Sequence, residues 1–585
     1  MSRAVPRHVL AWSAAAAVLL VYLATAAPGA WWGDGQELAC AAWTLGIPHP
    51  TGYPLYTLLG HGFMKLAGGL DPGRALTILS ALLLACSCGL LILLFQRILT
   101  GELLGGTAAR ACGVADLLPA VGVALLVAFS FTLWEHATFA EVYPLTFLFV
   151  VVVVHLAWPS RGSRPGLGRA AAIGLAFGLA MLNHYSILAV APLAGLCVLR
   201  WGIDRRRLPA FIGVALAGLL VTVLGYFYLL LRARSNPPLN WGDPSTFSRL
   251  MWVLSGGQFR ELKVAGSGEA ALRGLANWVA WWGAQFLPAN LARPLPSLVA
   301  GLVVLAISLL GLARLTRARW ELGLGLLAAI LMTAIFSMAY QIPDIAPYFL
   351  PALPAAAIGW ILTAWWLAER TEQKHPEFQL GPLMRTVPAL CALAMVLWHF
   401  RAIDKSADDA PGAWGRAVIE TLPADAIVLT GADSDCYCLW YQQMVLGQRP
   451  DVSIVGSNFI FQGWYARYFE SAGRPRIPIR IEDRPPTDKL PFDVAIFDGF
   501  LIPNFKQGRR IFITFTHDEL IRDLLNPKPA ASLLPLSYYQ SPLYPVERLP
   551  SPRLYELTPN AGLAEMSREE LTETFRNWYL NRGRR

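Results

Sequence analysis

Apolar blocks, many of them about twenty residues long, follow one another from residue 9 to residue 400, and that length crosses a bilayer core of roughly 30 Å as a helix. They fall at 9–28, 75–95, 117–133, 144–158, 170–183, 186–199, 209–231, 295–313, 321–339, 347–367 and 386–400. The stretch 170–199 reads as two short helices turning at Asn183-His184-Tyr185. A chain built this way cannot hide its apolar surface in a soluble core. Charged residues make up only 15% of it, against about a quarter in soluble domains. The expected fold is a polytopic α-helical membrane protein of about 11 spans, followed by a soluble α/β domain.

Charge gives the blocks a direction. With the N-terminus in the cytoplasm, Arg97 and Arg110 face inward. So do Arg161, Arg164 and Arg169, then Arg200 and Arg205 to Arg207, and later Arg314, Arg317 and Arg319. The outward turns at 134–143, 184–185 and 340–346 contain no Lys or Arg. This is the asymmetry of the positive-inside rule. The net charge of +9 therefore serves orientation in short clusters, and no nucleic-acid partner is expected. Arg3 and Arg7 before an Ala-rich apolar run imitate a signal peptide, but Pro28 and the many later spans favour a retained first helix. The eight cysteines have no zinc-site spacing and read as structural.

The expected organisation is a transmembrane domain over 1–400, with long outward loops at 29–74 and 232–294, and an extracytoplasmic α/β domain over 401–585. That last segment has mixed charge and short β-prone runs at Ala426–Thr430, Val452–Val455 and Asp493–Phe497. A helical stretch, Cys438 to Leu446, lies between the first two. The protein is expected in a bacterial inner membrane, with its C-terminal domain in the periplasm.

Polar chemistry collects in the outward turns. The first loop reads Trp31-Trp-Gly-Asp34-Gly-Gln-Glu37 and continues to Pro48-His49-Pro-Thr-Gly-Tyr53-Pro54. Asp34 and Glu37 share one helix edge, an arrangement that suits either paired carboxylates or an N-cap with a capping-box Glu. Three prolines and a glycine fix the backbone around His49 and Tyr53. The second turn carries Glu135, Glu141 and Tyr143, and the third Asn183 and His184. Ionisable groups at that depth are costly, which makes function the default reading. Arg232 and Arg234 at the end of a span suit a lipid phosphate or simple snorkelling. Asp243 follows in Asn240-Trp-Gly-Asp243-Pro, and Asp344 with Tyr348 in the last outward turn.

These motifs, in this order, resemble a transmembrane family first catalogued as a domain of unknown function. Its animal members are endoplasmic-reticulum protein O-mannosyltransferases, and it is similar to the wider GT-C glycosyltransferases. The likeness covers about residues 10–360, with echoes at Asp433-Ser-Asp435 and Arg449-Pro-Asp-Val452. Gly35 and Gln36 stand where the family has Ser-Gly, and the helical repeats of the animal members are not seen in 401–585. The resemblance implies a GT-C-like fold and transfer of mannose or another hexose from a polyprenyl- or dolichyl-phosphate donor to a protein or glycan hydroxyl. It implies inversion and no obligatory metal, with a divalent ion left open. Asp34 is then expected as general base and Glu37 as its support. His49, Tyr53, Glu141, Tyr143, His184, Arg232, Asp243, Asp344 and Tyr348 would bind substrate. A flippase for lipid-linked saccharides would use a similar lining, though internal repeats are not seen. A non-catalytic envelope scaffold is a third reading.

Overall fold

The computed structural model describes residues 7–100, 114–158, 165–262, 267–340, 342, 344–374, 380–456, 459–460, 462, 464–465, 469, 497–514, 528–532, 553–557, 567 and 570. Arg110, Arg161, Arg164 and the run Asp493 to Ile496 lie outside them. The chain opens with α1 (Arg7–Thr25), α2 (Asp34–Thr44), α3 (Pro54–Leu66), α4 (Pro72–Leu99), α5 (Val114–Ala128) and α6 (Phe131–His136). It continues through α7 (Tyr143–Ala157), α8 (Leu167–Met181), α9 (Ala191–Asp204), α10 (Leu208–Arg234), α11 (Phe247–Leu254) and α12 (Gly268–Ala284). Then come α13 (Pro294–Ala318), α14 (Trp320–Ala339), α15 (Leu353–Lys374), α16 (Leu380–Ile403), α17 (Ala410–Thr421) and α18 (Asp433–Trp440).

Eight segments are long and apolar enough to span a membrane, and the shorter α5, α7 and α8 are apolar as well. Each of the eleven sequence blocks therefore has a helix, and the chain is an integral membrane protein. Proline stands in the first turn of α4, α7, α9, α10 and α13, where its missing N–H costs nothing. Glycine sets the closest helix contacts. A Cβ on Gly311 of α13 would lie 2.0 Å from the carbonyl oxygen of Gly359 on α15, so only glycine permits that approach.

Because the spans alternate in direction, α2, α3, α6, α11, α12 and the C-terminal region gather at one end of the bundle. Lys405, just past α16, is buried there. Its backbone N–H bonds the carbonyl of Thr25 at 3.0 Å, and its ammonium lies over the rings of Trp31 and Phe139. Burial pushes its pKa down to about 8, opposed by nearby Glu135. Glu135 thus belongs to this joint.

The C-terminal region forms a sheet of β1 (Ile427–Thr430), β2 (Ser453–Gly456), β3 (Ile511–Ile513), β4 (Lys528–Ser532) and β5 (Arg553–Leu557). The order is β2-β1-β3-β5-β4, with β1 parallel to both neighbours and β5 antiparallel to β3 and β4. The first two strands and the helix between them match the β-prone runs and helical stretch of the sequence. Arg449 donates to both carboxylate oxygens of Asp451, at 2.9 and 2.7 Å, and to the carbonyls of Ile419, Leu422 and Pro423. The Arg449-Pro-Asp run is a staple that ties the end of α17 to β2.

Candidate active site

The site grows from the start of α2. Gly33, at φ 74°, turns the chain so that Asp34 is the first helical residue, with no side-chain cap bond. Glu37 turns inward instead of back to the N-terminus, and its carboxylate is 0% exposed. The capping-box reading therefore does not describe this helix. One oxygen of Glu37 accepts the His49 backbone N–H at 2.6 Å, and the other lies 2.6 Å from His49 Nδ1. Tyr53 donates its hydroxyl proton to the Pro50 carbonyl at 3.1 Å, so it accepts from His49 Nε2 at 2.9 Å. Both ring nitrogens then act as donors, which requires an imidazolium. Burial alone would lower the His49 pKa, but Glu37 and Asp34 outweigh it and raise it to about 10.

Asp34 Oδ2 lies 3.7 Å from His49 Nε2. The Asp34 side chain keeps 39% of its exposure, and the residue lines a cavity of about 870 Å³. Desolvation in that recess raises the Asp34 pKa, His49 opposes the rise, and Glu37 and Asp433 add to it. Neighbouring walls are aromatic. His184 lies over Tyr53 with centroids 6.0 Å apart, and meets Tyr143 at 4.9 Å and Tyr348 at 5.0 Å. Its Nδ1 accepts from the Ser186 backbone N–H at 3.1 Å, and burial with the charge of His49 lowers its pKa to about 3. His184 is thus a neutral group with only Nε2–H to donate. Leu188, Met332, Ile335 and Phe336, from two spans, supply the apolar part of the lining.

Of the residues expected from sequence, Asp34, His49, Tyr53, Tyr143, His184, Asp344 and Tyr348 line this one cavity. Glu37 supports it from behind. Glu141 is buried and takes the Val142 N–H at 3.0 Å. Burial raises its pKa, as does the charge of Asp34.

Two expectations fall elsewhere. Asp243 pairs with Arg249 outside the cavity lining. Arg232 donates from Nε to the Leu45 carbonyl at 2.6 Å and from Nη2 to the Thr44 carbonyl at 2.8 Å. It caps the C-terminus of α2 and is not among the residues that line the cavity. Arg232→Ala is expected to destabilise the protein by about 1.5–3 kcal/mol, the worth of hydrogen bonds to a charged donor. Thermal unfolding and donor KM measured together separate this role from phosphate binding, because a cap affects the first far more than the second.

Among the lining residues that the sequence reading did not name as site residues are Trp241, Asp433 and Tyr437. Trp241 is brought in by pairing of its loop with the first one: Ile47 N–H bonds the Leu239 carbonyl at 2.7 Å, and Trp241 N–H the Ile47 carbonyl at 3.0 Å. Gly46 makes room, since a Cβ there would sit 2.7 Å from the Leu239 oxygen. Asp433 and Tyr437 come from α18. Their only sequence signal was the echo at Asp433-Ser-Asp435.

Asp34, Glu37 and His49 also hold ligand atoms within 4.8 Å of one another. His49 has no lone pair to give a metal while both its nitrogens donate, so an ion there would have to displace its proton.

Known proteins share parts of this sequence and this fold. Residues 34–204 match the family described as the protein O-mannosyl-transferase TMEM260 N-terminal domain, and residues 412–482 match TMEM260-associated domain 2. The chain is 26% identical over 488 residues to the protein O-mannosyl-transferase TMEM260 of Mus musculus, covering 79% of this chain and 64% of the mouse protein. The chain thus spans somewhat under two thirds of that relative's length. In structure it is similar to apo ArnT from Cupriavidus metallidurans, with a TM-score of 0.52 at 14% identity over 96% of this chain and 99% of that one. The same protein bound to undecaprenyl phosphate gives 0.46 at 12% identity, with the same coverage. The resemblance carried by the motifs is borne out: over residues 34–204 and 412–482 this chain is similar to the TMEM260 protein O-mannosyl-transferase family, and its fold is GT-C-like.

Proposed function

We propose that this chain is a membrane glycosyltransferase that moves a sugar, mannose or another hexose, from a polyprenyl-phosphate donor to an acceptor hydroxyl. The observation that carries the reading is Asp34: a carboxylate held beside an imidazolium and facing a cavity lined by aromatics and two membrane spans. The family relationship favours a polypeptide hydroxyl as acceptor. In this reading the loop end of the bundle faces the extracytoplasmic side, which the charge asymmetry of the turns supports.

In this reading the apolar wall receives the first isoprene units and the tyrosines border the sugar. Asp34 takes the proton of the acceptor hydroxyl as its oxygen attacks the anomeric carbon. The carbon–oxygen bond to phosphate breaks, the phosphate leaves with the electron pair, and the configuration inverts. Among the described residues no Lys or Arg lines the cavity. Charge on the leaving phosphate would therefore be met by His49 and by the donors of His184 and the tyrosines.

Two results test this. Purified protein incubated with polyprenyl-phosphate mannose and hydroxyl acceptors should release polyprenyl phosphate; movement of intact lipid across a vesicle without release would make it a flippase. The rate should also follow a bell in pH. The acid limb should lie above the ordinary carboxylate range, because desolvation raises Asp34, and the alkaline limb should fall toward pH 10 as His49 loses its proton. A flat profile across that range would remove both groups from the mechanism.

A further inference from the structure

The helix α3 is amphipathic in an inverted sense. Tyr56, Thr57, Gly60 and Met64 lie on its buried face. A Cβ on Gly60 would lie 3.0 Å from Leu76 of α4 and 3.2 Å from Ala42 of α2, so this face packs closely on both. The opposite face carries Leu58, Leu59, Gly62 and Leu66, all of them exposed. Their spacing of i, i+1, i+4 and i+8 keeps them on one side of the helix. A helix that bordered water would carry charged or polar groups there.

This apolar face continues the lipid-facing surface of a span. On α10, Leu216, Leu220, Leu224, Phe227 and Leu231 are exposed in a stripe that runs to the loop end of the bundle. Where the stripe ends, α3 and α11 begin. Leu55 of α3 and Leu250 of α11 share a small core with Leu229, Leu230 and Ala233 of α10. On α11 the outward residues are Phe247 and Met251, one turn apart and exposed. Beside α3, the exposed Lys65 holds its ammonium 5.1 Å from the ring of Trp43, which is itself exposed at the end of α2. A Trp with a snorkelling Lys suits the boundary between acyl chains and headgroups. With 13 residues, α3 is about 20 Å long, too short to cross a bilayer core of about 30 Å.

We infer that α3 and α11 form a ledge seated in the bilayer surface at the loop end of the bundle. Leu58, Leu59, Leu66, Phe247 and Met251 lie among the upper acyl chains, and Lys65 lies at the level of the lipid phosphates. The partner is the lipid surface, because the stripe on α10 that the ledge continues belongs to a membrane span. Such a helix sits about 5–10 Å into the boundary between headgroups and acyl chains. The ledge borders the cavity from two sides: α3 begins at the residue after Tyr53, and α11 leads into Leu254 and Ser255, and all three of those residues line the cavity. It requires no transferase activity and stands apart from the glycosyltransferase reading above.

The test uses the full chain in phosphatidylcholine nanodiscs, with the fluorescent amino acid Anap placed singly at the position of Leu59, Leu66, Phe247, Leu220 or Glu420. Quenching is read with lipid nitroxides near the headgroup or deep in the acyl chain. Probes at Leu59, Leu66 and Phe247 should be quenched about twofold or more by the shallow nitroxide, and less by the deep one. A probe at Leu220, midway along α10, should show the reverse order, and one at Glu420, exposed on α17, should respond to neither. All five side chains are exposed, so no probe replaces a core residue. Probes at Leu59 and Leu66 that are quenched no more than the one at Glu420 would overturn the inference, whether water or protein covers the face. Stronger quenching there by the deep nitroxide would overturn it as well, since α3 would then lie inside the acyl core. Photo-crosslinking of one copy to another through Leu59 would assign the face to a second chain, and that too would overturn it.

Discussion

Asp34→Asn is expected to lower kcat for polyprenyl-phosphate release by about 10²–10⁴, the usual worth of a positioned general base. The expectation depends on which carboxylate is free to take a proton. Both oxygens of Glu37 are committed to His49, one to its backbone N–H and one to Nδ1. Glu141 is tied to the Val142 N–H and does not line the cavity. Asp344 and Asp433 line it, but neither has the imidazolium that holds Asp34 in place. Asparagine keeps the shape of Asp34 and loses its basicity. Because Asp34 is 39% exposed and Glu37 still neutralises His49, stability should change little, so thermal unfolding is the control. A variant that unfolds like wild type and keeps a third or more of the wild-type rate would end the assignment. The same substitution at Asp344 should cost less, since that residue makes no ion pair with His49.

Much of the bundle was legible in the sequence, because a bilayer allows few solutions for blocks of twenty apolar residues. Eleven blocks became eleven helices, and the split of 170–199 at Asn183 appears as the break between α8 and the short turn leading into α9. The site was legible to the extent that cost marks function. Acids and aromatics in membrane turns are expensive, and seven of the eleven residues named from the sequence line one cavity. Arg232 shows where that logic stops. Its position at the end of a span is equally suited to a phosphate and to orphan carbonyls of another helix, and only the fold places Leu45 and Thr44 beside it. The contribution of α18 was illegible for a related reason. Asp433 lies about four hundred residues from Asp34 in the chain, and no periodicity carries information over that distance.

Glu37→Gln should have the largest effect on stability, about 3–5 kcal/mol, because it strands a buried charge. In the folded chain the Glu37 carboxylate is 0% exposed and His49 is 14% exposed, so water can compensate neither partner. The amide of the introduced glutamine could still accept from the His49 backbone N–H, but it could not neutralise the imidazolium. Two further measurements show that the loss is electrostatic. First, Glu37→Gln combined with His49→Gln should be less destabilised than the two single changes summed, since the double variant buries no lone charge. Second, the pH dependence should change in a defined direction. The folded pKa of His49, about 10, lies above its ordinary value of 6.5. Its stabilisation is therefore fully present below about pH 6.5 and declines as pH rises toward 10. Wild-type unfolding temperature should fall across that window, and the slope should flatten in Glu37→Gln, whose His49 no longer has its nearest partner. Equal slopes in the two proteins would mean that His49 is neutral in the fold. Asp34 would then face the cavity without the charge that holds it, so this experiment bears on the site as much as on the stability.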